Sequence, residues 1–153
     1  MRKLYEDPLL DDYQIKLNFL GRLQLFPEEL QECMKKLTEK TKDYNKFIFN
    51  FAFGYGGRSE VVDAAKKIVE QVKEGKLNID EINEETFSNN LYSNHEPDLI
   101  IRTGGEKRTS NFLPYQAAYS EYIFLDKLWP EFDKEDFLAC IEEYKGRERR
   151  FGR

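Results

Sequence analysis

Apolar and polar residues alternate through IKLNFLG, residues 15–21, and the β-branched and aromatic content there predicts a strand. The period then changes to that of a helix. In PEELQECMKKLTEKTKDY, residues 27–44, Leu30, Met34 and Leu37 fall along one face, acids occupy the first turn, and Pro27 suits the first helical position. FIFNFAF, residues 47–53, is almost wholly apolar and is followed by Gly54, which predicts an interior parallel strand covered on both faces. GYGGRSEVVDAAKKIVEQVKEG, residues 54–75, turns on Gly56 and Gly57 and can cap at Ser59. It continues with Val61, Ala65, Ile68, Val69 and Val72 at helical spacing until Gly75 closes it.

Residues 79–92, IDEINEETFSNNLY, predict a helical turn and a second short helix, followed by a loop through Pro97. A short apolar strand, DLIIR, ends at Arg102, and another strand is predicted at 121–125 within QAAYSEYIFLD. The last helix lies in DKEDFLACIEEYKGRERRF, where Asp133 can cap and Phe137, Leu138, Ile141 and Tyr144 form the expected buried stripe. Strands alternating with helices predict an α/β fold, a mostly parallel sheet flanked by helices. At 153 residues, without internal repeat or low-complexity segment, the chain is expected to be a single domain, 1–153.

Composition narrows the function classes. With 40% hydrophobic and 35% charged residues the chain is of globular type, and no apolar run approaches the ~18 residues of a spanning helix. Lys and Arg number 24 against 29 Asp and Glu, a net charge of −5 that argues against a nucleic-acid partner. Cys33 and Cys140 match no metal or redox spacing and are expected as reduced core residues of a cytoplasmic protein. His95 is the only histidine, so no His-based triad or His-pair metal site can be built. The N-terminal MRKLYEDPLLDDYQ is too charged for a signal sequence.

Candidate chemistry gathers at two glycine turns. In α/β sheets ligands bind beyond the carboxyl ends of the strands, which would place GYGGRS and RTGGEKRTSN on one edge. Gly104 and Gly105 let the backbone approach an anion, and Arg102 and Arg108 supply bidentate donors for phosphate oxygens, with Ser110 beside them. The plainer reading is a tight turn with solvated arginines, since neither segment is a Walker motif or a full G-x-G-x-x-G. Glu121 sits in a strand among Tyr119, Tyr122, Ile123 and Phe124, so its carboxylate either faces water or is buried with a cation, for which Mg²⁺ bridging to a diphosphate is one candidate. The terminal RERRFGR reads as a basic helix end complementing the macrodipole.

DLIIRTGGEKRTSNFLPYQAAYSEYIFLDKLWPEFDKEDF, followed by RERRFG, resembles the C-terminal signature region of the cis-prenyltransferases, the undecaprenyl diphosphate synthase family, in its archaeal variant. The resemblance extends to FGYGGRSEVVDAAKKI, where Gly54 replaces the family's usual Asn before Tyr, and more faintly to NFLGRLQLFPEELQ. It implies a transferase that condenses isopentenyl diphosphate with an allylic prenyl diphosphate to make a cis-polyprenyl diphosphate, with Mg²⁺ as cofactor. It further implies that Arg102, Arg108 and Ser110, on the Gly104–Gly105 loop, hold the diphosphate of isopentenyl diphosphate. By the same resemblance Glu121 is a metal ligand, and Arg150 and Gly152 form an Arg-x-Gly tail that reaches the neighbouring subunit's site in a dimer. Peripheral membrane association through the lipid product goes with that reading.

The departure from the pattern is an Asp-Gly-Asn-x-Arg segment, central to catalysis in the family, for which this sequence has no counterpart: no Asp in it is followed by Gly. No catalytic residue is therefore assigned, and the chain is expected to be the C-terminal part of a synthase fold carrying the isopentenyl diphosphate half-site. Such a chain would be a fragment whose missing portion is supplied elsewhere, and it is expected to form a homodimer or a heteromer with a complete or N-terminal synthase part. The alternative is a non-catalytic partner subunit that donates its Arg-x-Gly tail, although such a subunit has no need of Arg102, Arg108, Ser110 and Glu121. A small RNA- or anion-binding module is the third reading, disfavoured by the net acidity.

Overall fold

The computed structural model describes residues 2–148. The chain forms two compact units, Met1–Ser93 and Asn94–Arg153.

In the first unit, α1 (Arg2–Tyr5) and α2 (Pro8–Asp12) precede β1 (Ile15–Leu20), α3 (Glu28–Thr41) and β2 (Phe47–Ala52). The strands pair in parallel from Ile15↔Phe47 to Leu20↔Ala52, with α3 in the crossover between them. Leu17 of β1, Leu37 of α3 and Leu10 of α2 form the core cluster, edged by Leu4, Ile15 and Phe19. Thr41 is fully buried at the end of α3: its hydroxyl accepts from the Leu17 N–H at 3.0 Å and donates to the Leu37 carbonyl at 2.9 Å, pinning helix to strand. The helices α1 and α2 went unanticipated. Asp7 caps α2 through the Leu9 N–H, Pro8 opens it, and Lys40 holds both segments through the Tyr5 carbonyl and Asp11. Pro27 stands at the cap of α3, one place before the expected first helical position.

The expectation that 47–53 is covered on both faces is corrected: all six positions of β2 are exposed, Phe47 and Phe49 by more than half. Among the described residues only β1 pairs with β2. Long apolar strands with an open edge are association sites. Phe49→Lys is expected to lower self-association of the chain at high concentration, measured by light scattering, without loss of secondary structure.

After β2 come α4 (Gly57–Lys73), a helical turn at Ile79–Glu81 and α5 (Glu84–Asn90). Helix α4 starts from Gly56, not from a Ser59 cap, and buries Glu60, Ala64 and Ile68, leaving Ala65 and Val69 exposed. The phase is fixed by Glu60, whose carboxyl group accepts from the Tyr55 hydroxyl and, at 2.9 Å, from the Tyr92 N–H. Positions four apart from it then face inward. Gly75, with φ of 68°, ends the helix as expected.

In the second unit, β3 (Leu99–Arg102) and β4 (Glu121–Phe124) pair in parallel from Leu99↔Glu121 to Arg102↔Phe124, and α6 (Lys134–Lys145) follows a turn at Trp129–Glu131. Asp133 caps α6 in a reciprocal box with Asp136, and Lys127 adds a 2.6 Å ion pair to Asp136. The expected stripe on α6 is corrected: Cys140 is buried, Ile141 and Tyr144 are half-buried, and Phe137 and Leu138 are exposed. Among the described residues neither β3 nor β4 packs extensively along α6, so much of its apolar stripe has no strand against it. Cys140 is buried and Cys33 half-buried, and both are free thiols. No helix of the described residues is long and apolar enough to cross a membrane.

Candidate functional site

Strand β3 delivers Arg102 to its carboxyl end, where residues 103–120 carry the chain back to β4 without a regular helix. The Arg102 guanidinium reaches into that loop, donating to the Arg108 carbonyl and, at 3.0 Å, to the Ser110 hydroxyl. Arg108 in turn makes a 2.5 Å ion pair with Glu106. The loop is bent hard. Gly104 and Gly105 take φ values of 95° and 75°, and Ser110, Asn111 and Leu113 also lie in the left-handed region, where a side chain costs about 1 kcal/mol or more. Arg102 thus ties together a strained segment.

The glycine pair supplies shape but no donors. Its N–H groups are already bonded, Gly104 to the Lys127 carbonyl and Gly105 to the Leu125 carbonyl, each at 2.9 Å. A Cβ at Gly104 would meet nothing within 4 Å, so the space above it is open. Charge for an anion therefore comes from the arginine side chains.

Sequence reasoning missed the pocket beside these arginines. Ile100 and Arg102 alternate onto one face of β3, in register with Tyr122 and Phe124 of β4, whose rings stack with centroids 5.9 Å apart. With Thr109 and Phe112 from the loop they line a cavity of about 210 Å³ that has Arg102 and Arg108 on its wall. That is below the ~300–1,000 Å³ of drug-sized sites and suits a short apolar chain with a charged head. Period-two alternation in EYIF was the available signal for Tyr122 and Phe124.

Glu121 is not part of this cavity. Alternation puts it with Ile123 on the opposite face of β4, and register puts it against Leu99, three positions from Arg102. Its Oε2 accepts from Arg147 Nη1 at 2.8 Å, and Arg147 also donates to the Tyr122 carbonyl and to Glu143. Of the two readings offered by the sequence, the cation-paired one describes Glu121, with an arginine as the cation. Among the described residues no group of three or more His, Cys, Asp or Glu side chains is placed to hold a metal ion. The donor set around Glu121 is not a preformed Mg²⁺ site. Arg150 and Gly152 lie outside the described residues.

The GYGGRS turn belongs to the first unit and is braced there by two carboxyl groups. Beyond the Glu60 contacts, Asp63 is gripped by Arg22 through Nε and Nη2, both at 2.9 Å, and accepts from the Tyr92 hydroxyl at 2.5 Å. Hydrogen bonds from Arg22 and Tyr92 hold the Asp63 pKa down to about 2, against an ordinary 3.8, while burial and Asp63 push the Tyr92 hydroxyl up to about 12. A depressed carboxylate stabilises the fold fully above its unfolded pKa and loses that contribution as pH falls through the folded one. Asp63→Asn is expected to be less stable than the parent at pH 7, with the difference shrinking between about pH 4 and pH 2, as followed by denaturant melts.

Comparison with known proteins gives the family of the chain. The prenyltransferase family profile described as "Putative undecaprenyl diphosphate synthase" matches residues 2–152. The tritrans,polycis-undecaprenyl-diphosphate synthase (geranylgeranyl-diphosphate specific) of Pyrococcus furiosus is 49% identical over 99% of this chain, which spans 58% of that protein's length. The protein of the same name from Methanocaldococcus jannaschii is 43% identical over 99% of the chain and 57% of its own length. Among solved structures, lavandulyl diphosphate synthase from Lavandula x intermedia, in complex with dimethylallyl diphosphate, superposes with a TM-score of 0.86 at 35% identity, covering 99% of this chain and 69% of that one. The chain belongs to the undecaprenyl diphosphate synthase family of prenyltransferases. It spans less than two thirds of the length of the curated relatives it matches.

Proposed function

We propose that this chain binds isopentenyl diphosphate for cis-prenyl chain elongation, contributing the isopentenyl side of a transferase that builds a polyprenyl diphosphate. The observation that carries the reading is the pairing of Arg102 and Arg108 with an apolar cavity of about 210 Å³ on the same wall. A diphosphate meets planar guanidinium donors, and a five-carbon chain meets Ile100, Tyr122 and Phe124. In this reading Ser110, anchored by Arg102, stands beside the phosphate oxygens, and the open space above Gly104 admits them. What such a clamp contributes chemically is orientation of the nucleophilic alkene and neutralisation of diphosphate charge.

Mg²⁺ belongs to the proposal as an ion that arrives with a diphosphate and offsets its charge. The names of the archaeal relatives point to geranylgeranyl diphosphate as the allylic partner. No Asp-Gly pair occurs in the chain, so the catalytic aspartate of the family pattern has no candidate in it. Assembly through the second unit is part of the same proposal, with Arg150 and Gly152 serving a neighbouring chain. Trp129, 73% exposed and stacked on Phe132, and Tyr119 supply the aromatic surface that contact cores favour. The single-domain reading of 1–153 and a cytoplasmic setting are retained as proposals on the same footing.

Hydrogen exchange tests the placement. Isopentenyl diphosphate is expected to slow amide exchange across residues 103–112 of the chain. Slowing elsewhere, with this loop unchanged, would move the site off the Arg102 wall.

A further inference from the structure

Glu121 is the residue whose placement departs most from its expected role. The family pattern assigns it to a divalent cation, yet its carboxylate is occupied by Arg147, and the same guanidinium holds Glu143 through Nη2 at 2.5 Å. Both members of the Glu121–Arg147 pair are about two-thirds covered, at 28% and 31% side-chain exposure respectively, so the contact is better shielded than a rim ion pair. The two hydrogen bonds raise the Arg147 pKa above its ordinary value, led by Glu121. A third bond, 3.0 Å to the Tyr122 carbonyl, fixes the guanidinium against β4 itself. Arg147 lies just past the Gly146 cap of α6 and Glu143 one turn before it, so the helix end is built to present this cation.

We propose that Arg147 is the resident counterion of Glu121, which closes that carboxylate to a divalent cation until the arginine is displaced. The idea deepens the Glu121 assignment and rests on it, but not on the diphosphate reading of the Arg102 wall. A metal ion binding at Glu121 Oε2 would have to displace the Arg147 N–H that donates to it, from a planar fork also bonded to Glu143 and the Tyr122 carbonyl. A cation approaching Glu121 must therefore compete with Arg147 as well as shed water, which Mg²⁺ does reluctantly. Arg147 acts here as a positioning residue.

Mn²⁺ titration followed by electron paramagnetic resonance, on the chain without diphosphate, reads this directly. In the parent chain Glu121→Gln should leave Mn²⁺ binding unchanged. Arg147→Gln should tighten it roughly fivefold or more, the equivalent of about 1 kcal/mol for a partly covered pair, and adding Glu121→Gln should remove the gain. Arg147→Lys, a point charge without the fork, should fall between. Mn²⁺ binding in the parent that Glu121→Gln weakens would overturn the proposal. So would an Arg147→Gln chain that gains nothing, or one whose gain survives Glu121→Gln. The parent comparison stands even if the Arg147 variants fold poorly. Pyrophosphate titration of the same parent sample tests the Arg102 wall separately, so the two readings fail independently.

Discussion

Arg102→Ala is expected to weaken diphosphate binding by roughly tenfold to a hundredfold, the worth of one or two charge-assisted hydrogen bonds. Arg102 matters twice over. It is the guanidinium at the carboxyl end of β3 on the cavity wall, and it braces the loop through the Arg108 carbonyl and the Ser110 hydroxyl. Without it Ser110, Asn111 and Leu113 have less to hold them in the left-handed region, and Arg108 loses its fixed origin. Lys107→Ala removes an equal charge from an exposed position outside the cavity and should change binding by less than threefold or so. Calorimetry with pyrophosphate compares the two. Equal losses would show that diffuse charge, not the fork, attracts the ligand.

Glu60→Ala is expected to destabilise the first unit by about 2–4 kcal/mol, because it leaves buried donors without an acceptor. Glu60 is 1% exposed, and its carboxyl group is the acceptor for both the Tyr55 hydroxyl and the Tyr92 N–H. Those bonds connect the GYGGRS turn, the first turn of α4 and the segment after α5, three stretches that share no strand pairing. Glu60→Gln keeps an acceptor of the same shape and should recover part of the loss. Urea melts of the three chains give the order parent, Glu60→Gln, Glu60→Ala. An Ala variant within 0.5 kcal/mol or so of the parent would mean that water replaces the carboxyl group without cost.

The parts of the fold legible in the sequence are those where local pattern and burial coincide. The strand at 15–20, the Met34–Leu37 face of α3 and the Asp133 cap follow from periodicity and cap chemistry. The parallel pairing of β1 with β2 follows from the strand–helix alternation, whereas β3 and β4 pair in parallel across a loop with no regular helix. Pattern misled where a polar side chain sets the phase, as Glu60 does for α4, because a glutamate at the head of a buried stripe carries no apolar signal. It misled again at β2, where FIFNFAF has the composition of a covered strand but no cover among the described residues. At the site, the sequence named Arg102, Arg108 and Ser110, and the structure brings them together. Neither the bonded state of the Gly104 and Gly105 N–H groups nor the Arg147 partner of Glu121 could be read from residue order, since both depend on contacts with residues about twenty positions or more away.

The reading stands most directly on whether the cavity recognises the five-carbon chain as well as the diphosphate. Calorimetric titration of the chain with isopentenyl diphosphate and, separately, with inorganic pyrophosphate decides it. Burying the isopentenyl group against Ile100, Tyr122 and Phe124 is worth about 1–2 kcal/mol at ~25 cal/mol/Å², so isopentenyl diphosphate should bind roughly tenfold more tightly. Equal affinity for the two ligands, or no saturable binding of either, would contradict the assignment of this wall to isopentenyl diphosphate.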